Sequence, residues 1–239
     1  MDLQDRVAVV TGASRGLGRA FSDVLIGAGA RVYGLARSSA DLAAVRAELG
    51  EAFVPVEADV TDRAAVRDAF ARVGREAGRC DVLVNNAGLG RFAPVDELTD
   101  DAWDAQVNTN LTALFTCTRE AVRLMKAKGA GDDGLAGHIV HVASVAGLVG
   151  NPNMAAYNAT KFGVRGFAEA TMKELRGDGI RVTCLYPGSV DTDFAAGAGS
   201  KGNPHALQPE DVAETLVHVL RAPARCLISE VVLRPTRPA

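Results

Sequence analysis

Ser144, Tyr157 and Lys161 are the residues of this 239-residue chain whose types and spacing suit acid–base chemistry. Tyr157 and Lys161 stand four apart, so in a helix both project from one face. A free phenol has a pKa of about 10 and moves protons poorly at neutral pH. A lysine ammonium beside it favours the phenolate. Lowering that pKa by about 2–3 units corresponds to roughly 3–4 kcal/mol of differential stabilisation. Ser144 closes an apolar run and can hydrogen-bond a substrate oxygen next to the phenol, the arrangement that proton transfer to a carbonyl needs. From this composition a Tyr-x3-Lys pair arises by chance at roughly 6%, so it needs a second feature beside it.

Thr11-Gly12-Ala13-Ser14-Arg15-Gly16-Leu17-Gly18 supplies that feature. Glycine at these points allows a tight turn and a close backbone approach to a ligand. A helix beginning there offers unpaired N–H groups and a positive dipole end to a pyrophosphate. The spacing is Gly-x3-Gly-x-Gly, and it lacks the Lys-Ser/Thr of a P-loop, which disfavours ATP chemistry. Gly12, Ser14, Arg15, Gly16, Leu17 and Gly18 are therefore candidate dinucleotide contacts. An NAD site normally carries Asp or Glu at the end of the second strand. Here that segment ends in Ala36-Arg37. Arg37 and Arg15 can converge on a ribose 2′-phosphate as charge-assisted donors, so NADP(H) is favoured over NAD(H).

The elements that must position these groups alternate along the chain. Strand-like apolar runs cover Val7–Thr11, Arg31–Leu35, Phe53–Val56, Asp81–Asn85, His138–Val142, Ile180–Leu185 and Cys226–Leu233. Helical spacing covers Gly16–Gly29, Ala40–Leu49 and Asp62–Ala77, where Thr61 or Asp62 is the expected N-cap. It returns over Thr99–Lys126 with a break expected near Trp103, then over Met154–Gly177 and Pro209–Leu220. Strands that read as continuous apolar runs imply burial on both faces, hence a seven-stranded parallel sheet with helices on each side. No composition break marks a second domain, so residues 1–239 read as one. Ala195–Pro204, rich in Gly, Ala and Ser, follows a strand's carboxyl end, and reads equally as a lid or as a connector.

Composition narrows the class. Side chains are 48% hydrophobic and 23% charged, and 26 basic residues against 29 acidic ones leave a net charge of −3. A nucleic-acid binder needs a basic excess that is missing here. No apolar run approaches about 18 residues, so no membrane span is expected. The polar start Met1–Arg6 reads as neither signal nor transit peptide. Cys80, Cys117, Cys184 and Cys226 lie far apart, without disulfide or metal spacing, and read as buried thiols in a reducing cytoplasm. The four histidines show no metal spacing either. Trp103 and Phe115 read as core or interface residues.

The conjunction of these motifs resembles the short-chain dehydrogenase/reductase family in its compact single-domain form, over essentially the whole length. The similarity rests on Thr11-Gly12-x3-Gly16-x-Gly18, Asp59-Val60, Asn85-Asn86-Ala87-Gly88, Asn110, Ser144, Tyr157-x3-Lys161 and Pro187-Gly188, in the family's order. It implies a Rossmann-type doubly wound fold and hydride transfer between a nicotinamide and a carbonyl or alcohol, with Tyr157 as the general acid/base. Asp59 would bond the adenine amino group, with Val60 beside the ring. Asn86, Ala87 and Gly88 would wall the adenosine ribose. Lys161 would hold the nicotinamide ribose, Asn110 a relay water, and Pro187, Gly188, Val190 and Thr192 the nicotinamide side. The long helices bearing Asn110 and Tyr157 would build a homodimer or homotetramer.

Three features depart from the family's commonest pattern. His141 stands where Asn is frequent, and reads as structural. The loop Lys128–Gly137 is long. The tail Ile228–Pro235 lacks the glycine-rich ending common among β-ketoacyl-carrier-protein reductases, and looks more like the branch acting on small hydroxy acids, hydroxy amino acids or aldehydes. A β-ketoacyl-thioester reductase remains the alternative within the family. A non-catalytic dinucleotide-sensing regulator is the alternative outside it.

Overall fold

A computed structural model of the chain describes residues 1–194 and 204–237. Seven strands form one sheet: β1 (Val7–Thr11), β2 (Arg31–Ala36), β3 (Phe53–Glu57), β4 (Val82–Asn85), β5 (Gly137–Val142), β6 (Ile180–Pro187) and β7 (Glu230–Leu233). Their order is β3-β2-β1-β4-β5-β6-β7, and every neighbouring pair is parallel. The helices are α1 (Gly16–Gly27), α2 (Ser39–Leu49), α3 (Arg63–Ala77), α4 (Asp100–Val107), α5 (Ala113–Lys128), α6 (Ala155–Leu175) and α7 (Pro209–Arg221).

Alternate strand residues feed two cores. Val9, Leu35, Leu83, Ile139 and Val182 pack on one face with α3, α5 and α6. Val10, Val32, Val84, Val140 and Leu185 pack on the other with α1, α2 and α7. This two-sided burial is what the unbroken apolar runs predicted. Capping is local chemistry: Asp62 accepts hydrogen bonds from the Ala64 and Ala65 N–H groups at 2.7 and 3.3 Å, as expected for the start of α3. Among the described residues, no helix is long and apolar enough to cross a membrane.

Four expectations need correction. The region Thr99–Lys126 does not break at Trp103. It passes through a π-helical turn at Asn108–Thr112 between α4 and α5, because the extra residue there leaves the apolar pattern almost unchanged. The last strand is Glu230–Leu233 rather than Cys226–Leu233: ladder pairing with β6 begins at Cys184–Glu230, and before it the Cys226 and Ile228 carbonyls are taken by the Arg181 and Thr183 side chains of β6. Cys80, Cys117 and Cys184 are buried, but Cys226, left outside that strand, is exposed. The stretch read as lid or connector falls on 195–203, outside the described residues, apart from Pro204.

The strand order reverses between β1 and β4, and a ligand crevice opens beyond the carboxyl ends at such a point. Beneath it, the buried Asp81 carboxylate accepts the Val7 N–H at 3.0 Å and pairs with Arg79 and Lys128, each at 2.7 Å. That knot fixes the entry of β1 against β4, and so the crevice above.

Candidate active site

The glycine turn leaves β1 and crosses the end of β4. Gly12 has φ +68°, and a Cβ there would stand 3.1 Å from the Ala87 Cα, so only glycine suits both the torsion and the contact. A Cβ at Gly18 would collide with the Gly12 carbonyl. The Thr11 hydroxyl accepts the Asn86 and Ala87 N–H groups at 3.0 Å each, and the Asn86 amide donates to the Thr11 carbonyl at 2.9 Å. The N-terminus of α1 carries no side-chain cap. Its free N–H groups therefore suit an anion.

From this turn a continuous cleft of about 1550 Å³ runs to Tyr157 and beyond. Gly12, Ser14, Arg15, Gly16, Leu17, Arg37, Asp59, Val60, Asn86, Ala87, Gly88, Pro187, Gly188, Val190 and Thr192 line it, together with Ser144, Tyr157 and Lys161. Two predicted residues lie outside it. Gly18 is buried beneath the turn, and Asn110 is 1% exposed behind the wall.

Just past β3, in the cleft wall, the Asp59 carboxylate accepts both the Thr61 N–H and hydroxyl on one oxygen, at 2.9 and 2.7 Å. Burial works to raise its pKa. The Thr61 hydrogen bonds and the nearby Arg37 charge win, and hold it below the usual carboxylate range. Its second oxygen makes no hydrogen bond within the described residues and can accept one from a base. Arg15 and Arg37 are exposed and form no ion pair among the described residues. The uncapped helix start, the glycine backbone and this carboxylate together fit a dinucleotide.

At the chemical end, Ser144 lies just past β5 and accepts the Ala146 N–H at 3.1 Å. Tyr157 and Lys161 rise one turn apart from α6, as their spacing predicted. Burial pushes the Tyr157 phenol up to about 12, against a hydrogen bond with Ser144 that lowers it. The expected depression by Lys161 is not found: burial sets the shift, and only Ser144 acts against it. The Lys161 ammonium lies 5.6 Å from the Tyr157 ring centre and donates to the Val142 carbonyl at 2.9 Å. Burial brings its pKa down to about 8, with Cys184 acting in the opposite sense.

Three buried amides hold the walls, and two of them were not singled out in the sequence. Asn110, on the π turn, accepts the Leu89 N–H at 2.8 Å and donates to the Leu89 carbonyl at 2.9 Å and to Thr160 at 3.1 Å. Gln106, one turn earlier, does the same for Arg91, taking its N–H and giving to its carbonyl at 3.2 Å each. Asn158 donates to the Ala146 and Val149 carbonyls at 2.6 and 2.8 Å. The helix acts as a substitute strand for residues 89–91. A glutamine four residues before Asn110, on the same face, was the available signal.

Comparison with known proteins decides the family. The family model described as short chain dehydrogenase matches residues 6–203. The chain belongs to the short-chain dehydrogenase family. It is 36% identical to the 3-oxoacyl-(acyl-carrier-protein) reductase FabG of Vibrio harveyi, over 92% of this chain and 84% of that one. A solved 3-ketoacyl-(acyl-carrier-protein) reductase from Brucella melitensis, complexed with NADH, superimposes with a TM-score of 0.90 at 28% identity, covering 98% and 99% of the two chains. The closed form of a serine dehydrogenase complexed with NADP+ gives 0.87 at 30% identity, covering 95% and 94%. This short-chain dehydrogenase is accordingly an oxidoreductase of carbonyl and alcohol groups.

Proposed function

We propose that this short-chain dehydrogenase is an NADP(H)-dependent carbonyl reductase, reversible as an alcohol dehydrogenase, with residues 1–239 acting as one domain. The observation that carries this reading is the single cleft joining the glycine turn to Ser144, Tyr157 and Lys161. The bound nicotinamide supplies or accepts the hydride. In reduction the Tyr157 phenol donates its proton to the substrate oxygen, and a pKa pushed up by burial keeps that proton in place until it is needed. The Ser144 hydroxyl, lining the same end of the cleft as the phenol, positions that oxygen. Lys161, on the same helix face, holds the cofactor ribose and favours the phenolate in the reverse direction. Asn110, its amide committed to Leu89 and Thr160, fixes the wall beside Lys161. Its relay water belongs to this proposal.

Arg15 and Arg37, lining the cleft without a carboxylate at the end of β2, support NADP(H) over NAD(H). Similarity to FabG supports a second reading, a β-ketoacyl-thioester reductase; the tail after Ile228, without a glycine-rich end, speaks for a smaller substrate. Half-exposed Trp103, Phe115 and Phe162 on α4, α5 and α6 support self-association as a homodimer or homotetramer. Four free cysteines, one exposed, support a reducing cytoplasm.

The test is NADPH and NADH consumption against diketones, β-ketoacyl thioesters, β-keto acids, aldehydes and cyclic ketones, in the wild type and Arg37→Asp. We expect turnover with NADPH preferred, and a preference shifted at least tenfold toward NADH in the variant. An unchanged ratio would remove Arg37 from the reading.

A further inference from the structure

Beyond Ser144 and Tyr157 the cleft is walled by two more aromatic rings. Phe92 meets Tyr157 edge-on, with ring centres 5.5 Å apart and planes at 69°. Phe194 lies against the same phenol at 5.7 Å and 47°. Phe92 follows β4 and Phe194 follows β6, so the fold brings the two together from distant segments. Both converge on Gly90, where a Cβ would stand 2.9 Å from the Phe92 ring and 3.1 Å from the Phe194 ring. Glycine at this position is what allows so close an approach.

The Phe92 ring is not left to chance. Both backbone groups of Arg91 are held by Gln106, and both of Leu89 by Asn110. The Ala93 N–H is held in turn by the Asn153 carbonyl at 2.9 Å. Among the described residues of the cleft lining, Arg91 precedes Phe92 and Asp191 and Asp193 precede Phe194.

We propose that Phe92 and Phe194 form an aromatic notch that takes a flat apolar substituent of the carbonyl, making aryl ketones and aryl aldehydes the preferred substrate class. Aromatic rings gain from edge-to-face and offset contacts beyond the area they bury, and the notch offers both beside the proton donor. The proposal rests on the reductase reading. In the step it serves, the carbonyl carbon gains the hydride of the reduced cofactor and the oxygen gains the Tyr157 proton, leaving an aryl carbinol and oxidised cofactor.

The experiment compares acetophenone with cyclohexyl methyl ketone and 3-oxobutanoate, by calorimetric titration into the NADP+-loaded enzyme and by NADPH turnover. Acetophenone should bind about fivefold or more tighter than its cyclohexyl counterpart, and exceed 3-oxobutanoate in kcat/KM by more than tenfold. Phe92→Ala and Phe194→Ala should each weaken acetophenone binding about tenfold, with the affinity for NADPH unchanged. Phe92→Leu keeps the bulk without the ring, so it preserves the test if the alanine variant does not fold. Equal binding of the two methyl ketones, no binding of acetophenone, or full aryl affinity in the Phe92 and Phe194 variants would overturn the notch. Ring-dependent acetophenone binding without turnover would uphold the notch and remove the reductase reading instead.

Discussion

His138 and His141 sit three apart on β5 and point into opposite cores. The Asn85 amide donates to the His141 Nδ1 at 3.1 Å, which places the ring proton on Nε2. The His138 Nε2 pairs with the Thr183 hydroxyl at 2.8 Å. Burial drives both pKa values down to about 3, aided at His138 by Arg181 and the chain's amino terminus. An unfolded chain protonates both near pH 6.5, while the folded one resists. Their contribution to stability is therefore complete above pH 6.5 and is lost as pH falls toward 3, at roughly 1.4 kcal/mol per pH unit for each ring. The urea midpoint should drop steeply between pH 7 and pH 5, and more gently in His141→Asn. Equal slopes in the two proteins would contradict the assignment. At this scale the sequence was informative about identity and poor about energetics. Tyr157, Lys161 and Ser144 were legible from type and spacing. The raised Tyr157 pKa was not, because the burial that sets it involves Phe92 and Phe194, at sequence positions nothing links to residue 157.

The π turn at Asn108–Thr112 shows where reading elements from a pattern stops. Hydrophobic period identified a long helical region here with its break expected near Trp103, and a single extra residue in the turn at Asn108–Thr112 shifts that period too little to be seen. Yet π turns of this kind gather at functional sites, and this one carries Asn110 to Leu89. Gln106, fully buried, is the companion clasp. Gln106→Leu fills the same space but removes the part-buried hydrogen bonds to the Arg91 N–H and carbonyl, at about 0.5–1.5 kcal/mol each. For a chain of this size that corresponds to a fall in Tm of about 2 °C or more. Gln106→Glu keeps the acceptor for the Arg91 N–H and should recover part of the loss. A thermal scan showing Gln106→Leu as stable as the wild type would mean that the clasp contributes nothing. The same limit explains the overlong last strand. Cys226–Leu233 reads as one run, but the Cys226 and Ile228 carbonyls go to the Arg181 and Thr183 side chains rather than to the β6 backbone, which no local pattern encodes.

At the scale of the whole molecule, the doubly wound sheet was legible because strands buried on both faces leave continuous apolar runs, and glycines mark the turn at the reversal of strand order. The site itself is assembled from the ends of β1, β2, β3, β4, β5 and β6 and the start of α6, so its shape appears only once they are folded together. In the proposed reading that assembly separates two tasks along one cleft: the glycine turn, Asp59 and Arg37 at one end would hold the cofactor, and Ser144 with Tyr157 at the other would move a proton. Tyr157→Phe removes one oxygen atom at the far end and leaves the near end intact. The most direct measurement is therefore NADPH affinity and carbonyl turnover in that single variant beside the wild type. We expect affinity within about twofold and turnover reduced by at least a hundredfold, in line with the loss of a positioned general acid. Turnover close to that of the wild type would contradict the account.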